Sequence, residues 1–195
     1  MVQAKLEKNR LTPVTPVTPV TPSSTQPAIF TTLGLLSVTQ ELSGLALSEM
    51  EMAKPELVAE ETICLLAVAT GRAIESLDSS YPDLGLSVMM TPFLYRDYLI
   101  GTAMIESGDL SRGEEGVQVG ERLEKKMAFY TAHLPAGQFP MSSSLRNVML
   151  MWMGRISPPG MPSGPEDRLD GIGAIEKVAC HLKLVVAHVR QSLQP

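Results

Sequence analysis

Three histidines, two cysteines and a cluster of glutamates are the residues here best suited to chemistry. His181 and His188 stand seven apart, on one side of a helix but two turns away from each other. A two-ligand metal clip needs the three- or four-residue spacing of neighbouring turns. Cys180 and His181 are adjacent and point in different directions. Neither a His-Glu-x-x-His zinc motif nor a Glu-x-x-His di-iron motif occurs. No metal and no cofactor is therefore expected, and His133, His181 and His188 are expected at the surface or its boundary.

Six glutamates fall between Glu41 and Glu61. Paired carboxylates can serve as general acid and base, but one must then stay protonated. Nothing nearby in the chain supplies a reason, so they read as a polar helix face. Tyr95-Arg96-Asp97-Tyr98 offers stacking and bidentate pairing, and a structural ion pair is the expectation. Gly171-Ile172-Gly173 lacks the third glycine and the preceding strand of a dinucleotide fingerprint. Residues 154–164 lack the Gly-Lys-Ser/Thr ending of a phosphate loop. Ser142, Ser143 and Ser144 have no nucleophile-elbow context. Cys64 and Cys180 both sit in apolar helical runs and read as small buried hydrophobes of a reducing, cytoplasmic setting.

The elements that would position these residues are helices. No run shows useful period-two alternation, whereas several show apolar residues at spacings of three and four. Helices are expected over about 31–52, 55–77, 92–107, 111–133, 142–156 and 165–193. Pro55, Pro92 and Pro165 each suit a first helical turn. Thr91 and Ser111 are candidate caps, the latter in a capping box with Glu114. The second helix is apolar nearly all round through Ile63, Cys64, Leu66, Ala67 and Val68, as a central helix should be. In the last helix Ile172, Ile175, Ala179, Leu182, Val186, Val189 and Leu193 form a heptad-like stripe that Val178 and Val185 widen. Lys177, His181, Lys183, His188 and Arg190 are assigned to its polar side. It is expected to pack along the second helix, with its basic side near acidic surface of its own or a neighbouring chain. The fold class is all-α, a bundle of five or six helices over residues 28–195. Residues 1–27 are expected to be a disordered arm. Within it the Thr-Pro-Val repeat favours polyproline II, and reads as a spacer, with docking or phosphorylation at Thr-Pro as the other roles.

Composition narrows the function classes. Hydrophobic residues make up 44% and charged residues 19%, enough for a globular core without disulfides or metals. The longest apolar run is too short to span a bilayer, and no signal-peptide core is present, so neither membrane insertion nor secretion is expected. Residues 41–115 carry fourteen acids against four bases, and residues 116–195 carry six against nine. The acidic middle argues against nucleic acid, and the opposite signs favour contact between the halves or between copies. Met149, Met151, Trp152 and Met153 place large groups all round one helix. One face must be core; the other is either covered by another element of the chain or, with Leu182, Val186 and Val189 of the last helix, the candidate interface. The leading expectation is a non-enzymatic interaction or scaffold protein that self-associates or binds a protein partner. The alternatives are a bundle enclosing a small apolar ligand near Met104, Met127, Met149 and Trp152, and an enzyme using Glu41 to Glu61, Tyr95, Asp97 or His181.

Overall fold

The computed structural model describes residues 25–50, 52–77, 82–108 and 112–192, which form eight helices and no strand. They are α1 (Thr25–Glu49), α2 (Pro55–Glu75), α3 (Pro82–Met89), α4 (Thr91–Ser107), α5 (Arg112–His133), α6 (Ser142–Ile156), α7 (Pro165–Gly171) and α8 (Ala174–Ser192). The Thr-Pro-Val repeat lies outside the described residues, as does the proposed cap Ser111. Thr25, Gln26 and Pro27, assigned to the arm, are instead the first turn of α1, where a proline costs no hydrogen bond.

Proline at the first position and Glu56 in the first turn start α2. Every residue from 61 to 71 of this helix is buried, so neighbours must surround it. α1, α3, α5, α6 and α8 all pack on it, which makes it the axis of the bundle. α6 seals the core with Leu145, Val148, Met149, Trp152, Met153 and Ile156.

Two helices exceed the expected count of five or six. α3 occupies a segment rich in Asp, Ser, Pro and Gly that read as a connection. Eight residues cannot hold a helix alone. Packing against the end of α2 stabilises this one. Gly71 and Gly85 let the two backbones approach, and a methyl on Gly71 would lie 2.6 Å from Cε and 2.7 Å from Cγ of Met89. The second extra element arises because the long final helix is two helices. Gly173 takes a left-handed conformation at φ 60°, which ends α7 and re-aims the chain into α8. Arg168 of α7 is buried beside this corner and donates to the Ser163 carbonyl and, at 2.7 Å, to Ser157 Oγ.

α8 packs on α2 as expected, and also along α1. Lys177 of α8 pairs with Glu41 of α1, and the His188 ring stacks on Phe30 at 3.9 Å, so α1 and α8 run antiparallel. The buried stripe of α8 is centred on Val178, Leu182, Val185 and Val189, with Ile175 and Ala179 at its margin. Thr91 does not cap α4. It is the first helical residue, its hydroxyl is buried without a partner, and Met90 holds the cap position. Ser142 is the first residue of α6, and Met141 holds its cap position without a side-chain cap.

α4 and the first turns of α5 form a hairpin that leaves the bundle, while the later turns of α5 pack on α2. The two helices pack closely because α5 presents glycines. A methyl on Gly116 would meet Ile100 Cδ1 at 3.1 Å, and one on Gly120 would collide with Nη1 of Arg96. Among the described residues from 93 to 119, none is buried.

Candidate functional site

Glu61 is the one glutamate of its cluster that burial captures fully, at 1% exposed. It sits on α2 between Glu60 and Thr62, where α5 and α6 close over it. Arg155 of α6 binds it bidentately, Nε to Oε2 at 2.8 Å and Nη2 to Oε1 at 2.7 Å. Tyr130 of α5 donates its hydroxyl to Oε2 at 2.7 Å. Lys126 Nζ lies 3.5 Å from Oε1 of Glu61 and 2.7 Å from Oε2 of Glu60. Arg122 completes the group at 3.0 Å from Glu60. The Arg155 guanidinium lies 4.5 Å over the Phe129 ring, which shields its outer face.

The electrostatics follow from these contacts. Burial by itself disfavours a charged Glu61. The hydrogen bonds from Arg155 and Tyr130, with the Lys126 charge, outweigh it and hold the carboxyl below its ordinary value. Burial and the adjacent Glu61 charge push the Tyr130 phenol strongly upward. Cys64, one turn along α2, is pushed up to about 12, chiefly by burial, and its thiol faces the Leu123 carbonyl at 4.0 Å. A carboxylate that accepts bonds from Arg155 and Tyr130 and faces Lys126 is not poised to take a substrate proton. A thiol held protonated is not a nucleophile. The cluster is a polar lock that ties α5 and α6 to the axial helix.

The other sequence candidates are dispersed. Glu41 pairs with Lys177, Glu49 and Glu56 face solvent, and Glu51 lies outside the described residues. A polar face is thus right for the exposed glutamates and wrong for Glu61. Arg96 pairs with Asp97, the ion pair expected there, while Tyr95 and Tyr98 face outward. Cys180 is exposed, contrary to expectation, because it lies on the outer side of α8. Met149, Trp152, Met153, Leu182, Val186 and Val189 are all in the core of the single chain, and only Met151, at 38% exposed, looks outward. Trp152 donates from Nε1 to Thr62 Oγ1 at 3.1 Å. Met127 joins the core edge and Met104 is half-buried on α4. The cleft between the α5–α6 loop and the start of α6, about 30 Å³ and lined by Leu134, Phe139 and Met141, holds about one water.

His181 is buried, not on the polar side of α8. Its Nε2 and Thr70 Oγ1 share a 3.0 Å hydrogen bond, and its ring lies 3.6 Å from where a Gly34 methyl would stand. The imidazole thus sits between α1, α2 and α8, and a methyl on Gly34 would only touch it at ordinary contact distance. Burial lowers its pKa from 6.5 to about 4. The unfolded chain takes up the proton near 6.5 and the folded chain only near 4. Acid therefore favours unfolding across that window. Stability is full above 6.5, falls as pH drops, and levels off below about 4, with about 3 kcal/mol at stake. Denaturant titrations over this range should show the slope, and His181→Gln should flatten it. An unchanged slope in that variant assigns the effect to another group.

The outer side of α4 is the feature that sequence reasoning missed. Leu94, Tyr95, Tyr98, Leu99 and Ile105 all face solvent, Tyr98 at 68% and Ile105 at 85% exposed. Leu94, Tyr98 and Ile105 recur at helical spacing on one side. The apolar stripe was legible; that no part of the chain covers it was not. Among the described residues, no helix is long and apolar enough to cross a membrane. No protein family, no curated protein and no solved structure matches the chain.

Proposed function

We propose that this is a non-enzymatic interaction protein that associates with itself, and that the α4–α5 hairpin carries the contact. The supporting observation is the exposed stripe Leu94, Tyr98 and Ile105, flanked by Tyr95 and Leu99, on a projection, residues 93–119, in which no described residue is buried. A contiguous apolar face of this kind marks an interaction surface. Aromatic anchors suit a protein partner. The hairpin's acidic balance suits neither nucleic acid nor an anionic membrane. A reducing cytoplasmic setting accords with two unpaired cysteines.

Sedimentation across a wide concentration range tests the reading. The wild-type mass should rise with concentration. Tyr98→Lys with Ile105→Lys should hold the chain monomeric at unchanged helicity, since both side chains are outside the core. A wild-type chain that stays monomeric throughout sinks the self-association reading.

A further inference from the structure

Resting on that reading, we infer that residues 1–11 dock on the outer side of α3 and α4 of the same molecule and cover the surface through which copies meet. This surface is longer than α4 alone. Leu86 and Met90, 57% and 51% exposed, precede Leu94 and Tyr98 at a constant spacing of four, and Ile105 follows seven residues on. The Met90 N–H donates to the Leu86 carbonyl at 3.1 Å, and the Leu94 N–H to the Met90 carbonyl at 3.2 Å. The helical path therefore runs through the joint between α3 and α4, and the five side chains form one apolar ridge about 28 Å long.

Charge and reach both select the occupant. Residues 82–119, which carry the ridge, hold six acids against two bases. One of those bases, Arg96, is paired with Asp97, and Arg122 and Lys126 in the later turns of α5 are held by Glu60. Residues 1–11 hold Lys5, Lys8 and Arg10 against Glu7, with Val2, Leu6 and Leu11 interspersed. A basic apolar segment thus matches an acidic apolar ridge. The exposed residues Leu33 and Leu184 offer no such match, because Glu41, Glu49 and Glu176 of α1 and α8 balance Lys177, Lys183 and Arg190. Residues 12–24, with proline at every third place through the repeat, reach about 40 Å at about 3 Å per residue. The path to the ridge is shorter. Gly34 of α1 and Thr70 of α2 both stand beside His181, and Gly71 of α2 stands beside Met89 at the end of α3. From Thr25 it is about 14 Å along α1 to this level, about 10 Å across to α3, which packs on α1, and about 8 Å on to Leu94.

Two measurements on the full chain test this. Reversing the arm's charge (Lys5→Glu, Lys8→Glu and Arg10→Glu together) should free the ridge and tighten self-association by about tenfold, the factor for an arm in place on about nine-tenths of wild-type molecules. Raising the salt concentration should release the arm and bring wild type toward the variant. A photo-reactive phenylalanine in place of Asn9, irradiated in dilute protein, should crosslink within one chain to residues 86–105, and the crosslink should fade at high salt. A charge-reversed variant that associates no more tightly than an associating wild type overturns the inference and leaves self-association standing. Crosslinks that fall elsewhere, or only between chains, do the same. Crosslinks to residues 86–105 in a chain that stays monomeric with either arm keep the arm contact and remove self-association.

Discussion

Glu61→Ala is expected to destabilise the fold by about 3–5 kcal/mol, because it strands buried cationic and hydroxyl partners. For a chain of this size that is roughly a 10 °C fall in melting temperature. Lys126 and Tyr130 are buried and Arg155 stacks on Phe129, so none can turn freely to water. Glu61→Gln should cost less, since the amide keeps the volume and one acceptor oxygen, but it loses the charge that Arg155 and Lys126 require. Replacing Glu61 and Arg155 together by apolar residues of similar size should recover part of the loss. The lock is also acid-sensitive. The folded carboxyl titrates below its ordinary value of 4.5, so its contribution is full above 4.5 and is lost as pH falls through the folded value. Its loss begins at the acid end of the His181 window and continues below it. A Glu61→Gln variant within about 1 kcal/mol of wild type by urea titration would show that the network contributes little.

Trp152→Ala should be comparably severe, at about 4 kcal/mol, from lost burial and the cavity left among Thr62 and the α6 core residues. Trp152→Phe keeps most of the packing and gives up the hydrogen bond to Thr62 Oγ1, for a cost of about 1–2 kcal/mol. Thr62 itself still donates to the Val58 carbonyl at 2.6 Å, so its hydroxyl is not orphaned. Trp152 is the only tryptophan of the chain. Its native emission should be blue-shifted, resist acrylamide quenching, and move to the red in the same transition that circular dichroism reports. Ready quenching in the folded state, or a near-neutral Trp152→Ala, would place the indole at the surface.

Both residues show how far local pattern carries. The repeat of Leu145, Val148, Met149, Trp152 and Ile156 at three and four residues determines that α6 is a helix and which side it buries. The same holds for α2, whose apolar circumference requires neighbours all round, and for the prolines that open α2, α4 and α7. These features depend on residues within one or two turns of each other, so they are present in the sequence as such. The pattern leaves open whether the second face of α6 is covered or spare; the structure covers it and leaves α4 uncovered.

What only the tertiary structure decides is which partner each surface meets. Glu61 looks like any glutamate near the start of a helix. Its burial depends on Tyr130 and Arg155, which lie 69 and 94 residues further along the chain. His181 reads as polar until Thr70 of α2 and the α1 backbone at Gly34 enclose it. α3 exists because Gly71 and Gly85 let it touch α2, and α8 is separate because Gly173 turns left-handed. Periodicity establishes that a stripe exists. Covering it depends on segments distant in sequence, and on the α4–α5 hairpin none of the described segments does so.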